Sequence, residues 1–295
     1  MNMWLVGAGY WGKKLLASLH NLGVQATVID IKNGQSIQDI NTKDPVILAT
    51  PLWEHYDQCM DLLSQGHDVY VEKPAVESAP QAAKLMEILQ PGQVFMVGHI
   101  FIHHPQIALI KHLIDKNSIG SLTHIHSRRL NWGIYQTRTT PVLSLAAHDI
   151  SILQYFLGHN LEVKNARGWH LSDGRQFDRV WFSGFSREVT YDVDVSWCWP
   201  LRTRETVFIG SRGQISWNQD TNQVIIHNNR IGDNRAVEGN TVVFDYDSDL
   251  SPLEHELKHW VDCVKQRQQP STGTNEAYHV AVTIDRVHKA LGSAH

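Results

Sequence analysis

The 295-residue chain has little cysteine: only Cys59, Cys198 and Cys263, too widely spaced for a disulfide framework or a zinc site. A reducing compartment is therefore expected. It also lacks any apolar run near the ~20 residues needed to cross a bilayer, so no membrane association is expected. The opening MNMWLVGAGY carries no basic segment, long apolar core or cleavage site, which predicts a cytoplasmic protein. Nor is there an excess of one charge. Lys and Arg total 26 and Asp and Glu total 30, a formal net charge of -4, and no dense basic run appears. That balance argues against an electrostatic partnership with nucleic acid. Repeats and low-complexity tracts are absent as well.

What is present is a change of pattern along the chain. Up to about residue 98, short apolar runs alternate with longer amphipathic ones. Strands are predicted at Met3–Val6, Ala26–Asp30, Val46–Thr50, Asp68–Val71 and Val94–Gly98, with helices at Trp11–Asn21, Leu52–Gln65 and Pro80–Gln90. Strands alternating with helices predict a parallel sheet of βαβ units. After about residue 120 the segments become rich in β-branched and aromatic residues with imperfect period two: 122–130, 162–170, 178–186, 190–199, 205–210, 213–217, 222–227 and 241–246. Helices are predicted at 143–157, 252–267 and 275–291. The fold class is therefore α/β. A Rossmann, doubly wound parallel sheet over residues 1–120 precedes an α+β domain over 121–295 with a large, mostly antiparallel open sheet. The C-terminal helices could pack back on the first domain.

Gly7-Ala8-Gly9-Tyr10-Trp11-Gly12 lies between the first strand and the first helix, and Asp30 ends the next strand. That context turns G-x-G-x-x-G into a dinucleotide fingerprint. Gly7 permits the tight turn, Gly9 lets the backbone approach a pyrophosphate, and Gly12 allows close helix–strand packing. The helix N-terminus, at Tyr10 and Trp11, offers unpaired N–H groups to the phosphates. Asp30 would bond the ribose hydroxyls and repel a 2′-phosphate, so NAD is expected over NADP, with Lys32 partly offsetting the charge. Thr50 and Pro51 stand at a carboxyl strand edge, where such sheets bind ligands, and His55 follows inside the next helix. Glu72-Lys73-Pro74 follows a buried strand, and the proline restricts how Lys73 projects. His103-His104 lacks helical ligand spacing and an accompanying carboxylate or Cys cluster, so no metal is expected.

GAGYWG, the ATP–xxx–H segment at 49–55, EKP at 72–74 and Gly98-His99, in this order and spacing, resemble the Gfo/Idh/MocA oxidoreductase family. The resemblance runs through nearly the whole chain, including 256–263 followed by Gln269-Pro270. Arg129-Leu130-Asn131-Trp132-Gly133 and Ala146-Ala147-His148-Asp149 are similar to members associated with nucleotide-sugar metabolism. The resemblance implies that Lys73 sits beside the nicotinamide and the reacting carbon and that His148 exchanges the proton. Glu72 and His99 join the cofactor site by the same implication. An ammonium would stabilise the alkoxide formed as hydride leaves, and imidazole suits proton exchange near neutrality.

The chain departs from that pattern at Ser144, where the family has an acid. As an i, i+4 pair, Ser144 and His148 are expected on one helix face, with Asp149 as a possible partner of the histidine. Gln136, Arg138 and Thr140 also differ from close relatives. Arg129, Asn131, Tyr135 and Arg138 are candidates to grip a sugar or its diphosphate, and Ser144 and Asp149 to line its site.

The expected activity is an NAD-dependent dehydrogenase or ketoreductase acting on a ring hydroxyl or ketone of a sugar, in particular a nucleotide-linked one. Two alternatives stand beside it: NAD-assisted glycoside hydrolysis, and an NAD-binding sensor or partner protein. The aromatics Trp181, Phe182, Phe185, Trp197, Trp199, Phe208 and Trp217 predict either a homodimer or homotetramer through the sheet, or packing beneath helices.

Overall fold

The computed structural model describes residues 1–133, 135–171, 176–232, 235–245 and 248–292. The chain forms two compact units. One joins Met1–His104 to Asp249–Val282; the other joins Pro105–Ser248 to the chain from Thr283 onward.

In the first unit, β1 (Asn2–Val6), α1 (Tyr10–Asn21), β2 (Gln25–Ile29), β3 (Val46–Leu48), α2 (Leu52–Ser64), β4 (Val69–Glu72), α3 (Ala79–Ile88) and β5 (Phe95–Gly98) alternate as the sequence predicts. The strands form one parallel sheet in the order β2-β1-β3-β4-β5. Every residue of β3, β4 and β5 is buried, as expected of strands covered on both faces. Helix α1 buries Gly12, Leu15, Ser18 and Leu19, the one-sided spacing of an amphipathic helix. Burying side chains such as Leu15 and Leu19 contributes roughly 1.5–3 kcal/mol each.

The second unit opens with α4 (Pro105–Asp115), an element the sequence reading passed over. There follow β6 (Leu122–Trp132), a π turn at Val142–Ala146, α5 (Ala147–Leu157), β7 (Glu162–Trp169), β8 (Arg179–Ser186), β9 (Val189–Ser196), β10 (Cys198–Gly210), β11 (Gln214–Asn218) and β12 (Gln223–His227). A small hairpin of β13 (Arg230–Gly232) and β14 (Arg235–Val237) precedes β15 (Thr241–Asp245). Eight strands make one sheet in the order β15-β12-β11-β10-β6-β9-β8-β7. All its pairings are antiparallel except β6–β9, which is parallel. Ile125, Phe182, Val193, Phe208, Ile215, Trp217 and Val224 are buried. Helices cover that face: Phe156 of α5 stacks 4.6 Å from Phe208, and Trp217 Nε1 donates to Gln106 Oε1 of α4 at 2.7 Å. The predicted aromatic set therefore divides, with Phe182, Phe208 and Trp217 in the core and Trp181 and Phe185 half-buried at the alternate positions of β8.

The last two helices are α6 (Pro252–Gln266) and α7 (Thr274–Gly292). A capping box starts α6, in which the Ser251 side chain accepts from Glu254 N and Glu254 Oε2 accepts from Ser251 N. Its apolar stripe, Leu253, Leu257, Trp260, Val261 and Val264, shares a core with Met3, Leu5, Tyr70 and Met96 of the parallel sheet. The boundary between the units falls within α7.

Candidate active site

The glycine turn is built as its spacing requires. Gly7 has φ +98°, and a Cβ there would lie 2.6 Å from Ala49 O; a Cβ on Gly12 would lie 1.9 Å from Gly7 O. Beyond Gly9, by contrast, a Cβ would meet nothing within 4 Å. Gly9 caps α1 through backbone geometry alone, with no side chain covering the first N–H groups. Asp30 fixes the loop: Oδ2 accepts from Ala8 N at 3.2 Å and Oδ1 from Lys32 N at 2.9 Å.

A cleft of about 710 Å³ opens over this turn. Gly7, Gly9, Tyr10, Trp11, Asp30, Thr50 and Pro51 line it. These residues fit a dinucleotide: two positions that admit no side chain, one that leaves space, an unfilled helix N-terminus and an acid at the strand end.

His55 is not on that wall. It is 2% exposed and lies between two turns, Nε2 2.8 Å from Thr50 O and Nδ1 2.9 Å from Pro74 O. Burial lowers its pKa against the pull of both carbonyls, and the ring fills the gap between the two turns. The consequence is geometric: the turn lining the cleft and the turn carrying Lys73 are one imidazole apart.

Glu72 likewise points inward, which corrects its expected contact with a cofactor. Its Oε1 accepts from Trp11 Nε1 and from Tyr70 OH at 3.2 Å, and the Tyr70 hydroxyl also lies 3.0 Å from Glu256 Oε2. Glu72 thereby positions Trp11 on the cleft wall. One phenol proton cannot serve two ionised carboxylates. Burial pushes Glu72 up to about 7, against the pull of Trp11, Lys73 and Tyr70, and holds Glu256 well above the ordinary carboxylate range. Sequence reasoning missed Tyr70 and Glu256. A glutamate on the buried face of α6 was the available signal, since an acid there needs a partner. His99, 1% exposed, is pushed down to about 3 by burial and by the neighbouring Lys73 charge, so it is a neutral wall and not a proton carrier.

This cluster has a pH signature. In the folded chain Glu72 holds its proton more tightly than in the unfolded chain, so the native state binds more protons between about 4.5 and 7. Stability from this group is greatest in acid and falls as pH rises through about 7. Glu72→Gln removes that titration. Its urea stability relative to the parent is expected to improve steadily from about pH 5 to about pH 8; parallel curves would refute the assignment.

In the second unit, the helix expected at 143–157 begins as a π turn at Val142–Ala146, which interrupts the i, i+4 stripe from Ser144 to His148. Such turns re-aim the residues that follow. His148 is half-buried at the second position of α5, and its carbonyl accepts from Ser151 Oγ at 2.8 Å. Ser144 Oγ accepts from Trp197 Nε1 at 3.1 Å, and Tyr135 packs edge-on to Trp197 with centroids 5.5 Å apart. Asn131 keeps a buried Oδ1 with no hydrogen-bond partner among the described residues, and Arg138 is exposed.

Arg129 and Asp149 do not belong to that surface. Their side chains are 2% and 0% exposed. Asp149 accepts from Arg129 Nε at 3.0 Å, Arg129 Nη2 at 3.1 Å and Ser127 Oγ at 2.8 Å, while Arg129 Nη1 donates to Gln219 Oε1 at 3.0 Å. The expectation that they meet the substrate or assist His148 is therefore corrected: they tie α5 to the inner face of the sheet.

Comparison with solved structures decides the fold. The 3-ketoreductase KijD10 from Actinomadura kijaniata, solved with TDP-benzene and NADP, superposes with a TM-score of 0.85 at 18% identity, covering 99% of this chain and 98% of that one. The chain has the fold of this ketoreductase, a parallel-sheet unit joined to a large, mostly antiparallel sheet. UDP-N-acetylglucosamine 3-dehydrogenase GnnA from Acidithiobacillus ferrooxidans gives a TM-score of 0.83 at 16% identity, covering 99% and 98%. The fold expected from the sequence is thus borne out. In sequence, a 2,7-anhydro-N-acetylneuraminate hydratase from Escherichia coli is 26% identical over 199 residues, 58% of this chain and 54% of that protein. The chain spans about half the length of the first curated relatives it matches. No family model matches it.

Proposed function

We propose that the chain is an NAD-dependent oxidoreductase moving hydride between nicotinamide and a ring hydroxyl or ketone of a nucleotide-linked sugar. One observation carries this reading. The cleft over the glycine turn and the Lys73 turn are braced together, through His55 between Thr50 and Pro74 and through Glu72 on Trp11. Solved neighbours bearing NADP, a nucleotide-sugar name or a ketoreductase name support it.

The cofactor, when bound, accepts or supplies the hydride. The chain's own residues do the rest. The Gly7–Gly12 backbone and the α1 N-terminus hold the phosphates. Asp30 binds the ribose hydroxyls, and its charge disfavours a 2′-phosphate. Lys73 stabilises the oxyanion on the reacting oxygen and His148 exchanges its proton with solvent. Asn131 Oδ1 offers a buried acceptor to a sugar hydroxyl, and Tyr135, Arg138 and Ser144 supply further groups to grip the sugar.

We assign dinucleotide binding to the first 120 residues, and substrate binding and pairing to 121–295. Pairing as a homodimer or homotetramer would cover Trp181 and Phe185 of the large sheet; a single-protomer mass in solution overturns it.

A second reading is favoured by the hydratase names of the first curated relatives. Hydration is redox-neutral, so the nicotinamide would end as it began. Incubating the protein with NAD+ or NADP+ and a panel of UDP- and dTDP-sugars separates the two readings. Reduced nicotinamide should accumulate, faster with NAD+. Product without accumulation favours the second reading, and a chain that binds neither dinucleotide overturns both.

A further inference from the structure

The face of the large sheet opposite the covering helices carries a cluster that the redox reading does not use. His124 and His126 are two residues apart on β6, and period two puts both on one face, roughly 7 Å apart along the strand. The parallel neighbour β9 places Thr190 opposite His124 and Asp192 opposite His126. The Asp192 carboxylate reaches both rings: Oδ1 lies 2.9 Å from His124 Nε2, and Oδ2 lies 2.8 Å from His126 Nδ1. One ligating atom from each of the three residues lies within 4.8 Å of the other two.

We propose that His124, His126 and Asp192 form a binding site for a divalent transition ion of the zinc type. Two imidazoles and one carboxylate suit zinc, cobalt or nickel, and disfavour magnesium and calcium, which prefer oxygen. Zinc bonds of about 2.0–2.1 Å set tetrahedral ligand separations of about 3.3 Å, so the two ring-to-carboxylate pairs at 2.8 and 2.9 Å open by about half an ångström while the widest separation, within 4.8 Å, closes by up to about 1.5 Å.

The surroundings are those of a supported site. Thr190 Oγ1 donates to Thr123 O at 3.3 Å and lies 2.8 Å from His124 Nδ1. With the hydroxyl proton so committed, Nδ1 carries the ring hydrogen and Nε2 turns its lone pair toward Asp192 Oδ1. Two acceptors at 2.9 Å need a proton or a cation between them. Trp181 Nε1 orients the carboxylate from the other side, donating to Oδ2 at 3.2 Å. Such outer hydrogen bonds fix ligand orientation at metal sites. The three side chains are 29%, 34% and 18% exposed, so an ion can reach them in a single protomer. The expectation of no metal rested on His103-His104, which lie elsewhere; this trio spans two strands far apart in sequence.

The test uses the full chain in its native assembly, stripped with a chelator and titrated with Zn2+ against a chromophoric competitor. Co2+ serves as a spectroscopic probe. One Zn2+ per chain is expected to bind in competition, and the H124Q/H126Q variant should lose that ion and the cobalt visible band. Wild type that takes up no ion, or H124Q/H126Q that retains it, overturns the proposal. Should the double variant fail to fold, Thr190→Val removes only the support of His124 Nδ1. Affinity should then fall about 10-fold or more, and unchanged affinity overturns the site. Dinucleotide binding plays no part in the readout, so the result is independent of the redox proposal.

Discussion

Lys73→Ala is expected to lower kcat on any accepted sugar roughly 100- to 1,000-fold, the usual loss when one preorganised group facing a developing oxyanion is removed. Binding of the dinucleotide, measured by calorimetry, should change little, because the phosphate site proposed above is the Gly7–Gly12 backbone. The substitution also has an electrostatic echo. The Lys73 charge lowers the pKa of both Glu72 and His99, so its removal lets Glu72 climb above about 7 and His99 rise from about 3. A variant with parental turnover removes Lys73 from the chemistry. A variant that loses turnover while losing dinucleotide affinity in proportion makes it a binding group only.

Asp149→Ala is expected to destabilise the chain by about 3–5 kcal/mol, read as a shift of the urea midpoint. Removing one member of a buried pair strands the other, here a guanidinium only 2% exposed. Ser127 loses its acceptor as well, while the Arg129 contact to Gln219 remains. Replacing the pair together, as Arg129→Met with Asp149→Leu, should recover much of the loss, since two apolar side chains carry no desolvation cost. A loss under about 1 kcal/mol with a raised KM for sugar would return both residues to the substrate site.

The first unit was readable almost residue by residue. Its strands are short apolar runs with glycine or charge at their ends, and its helices repeat at three and four; observed boundaries differ from the expected ones by a residue or two. The glycine turn was legible for the same local reason: a Cβ at Gly7 or Gly12 would collide with backbone. Misses occurred where distant chain decides. Helix α4 begins with Pro105 and buries Gln106, Ile107 and Ile110. Those were usable signals, yet the segment is short and follows His103-His104. Strand β10 runs unbroken through Pro200, where the sequence reads as a loop, because its register against β6 shifts between Cys198 and Thr203 and absorbs the missing donor. The polar residues of the site were harder still. Arg129, Asp149, Glu72 and His55 carry the composition of ligand-binding groups, and only their partners reveal that they brace other residues.

The docking of α6 onto the parallel sheet has a consequence for synthesis. Trp260 and Leu257 complete the core around Met3, Leu5 and Tyr70, and they leave the ribosome about 160 residues after the last strand of that sheet, which ends at Gly98. At about 5–20 residues per second, the nascent amino-terminal half waits roughly 10–30 s with that hydrophobic surface uncovered. Chaperone attention during translation is thus drawn to the part of the chain made first.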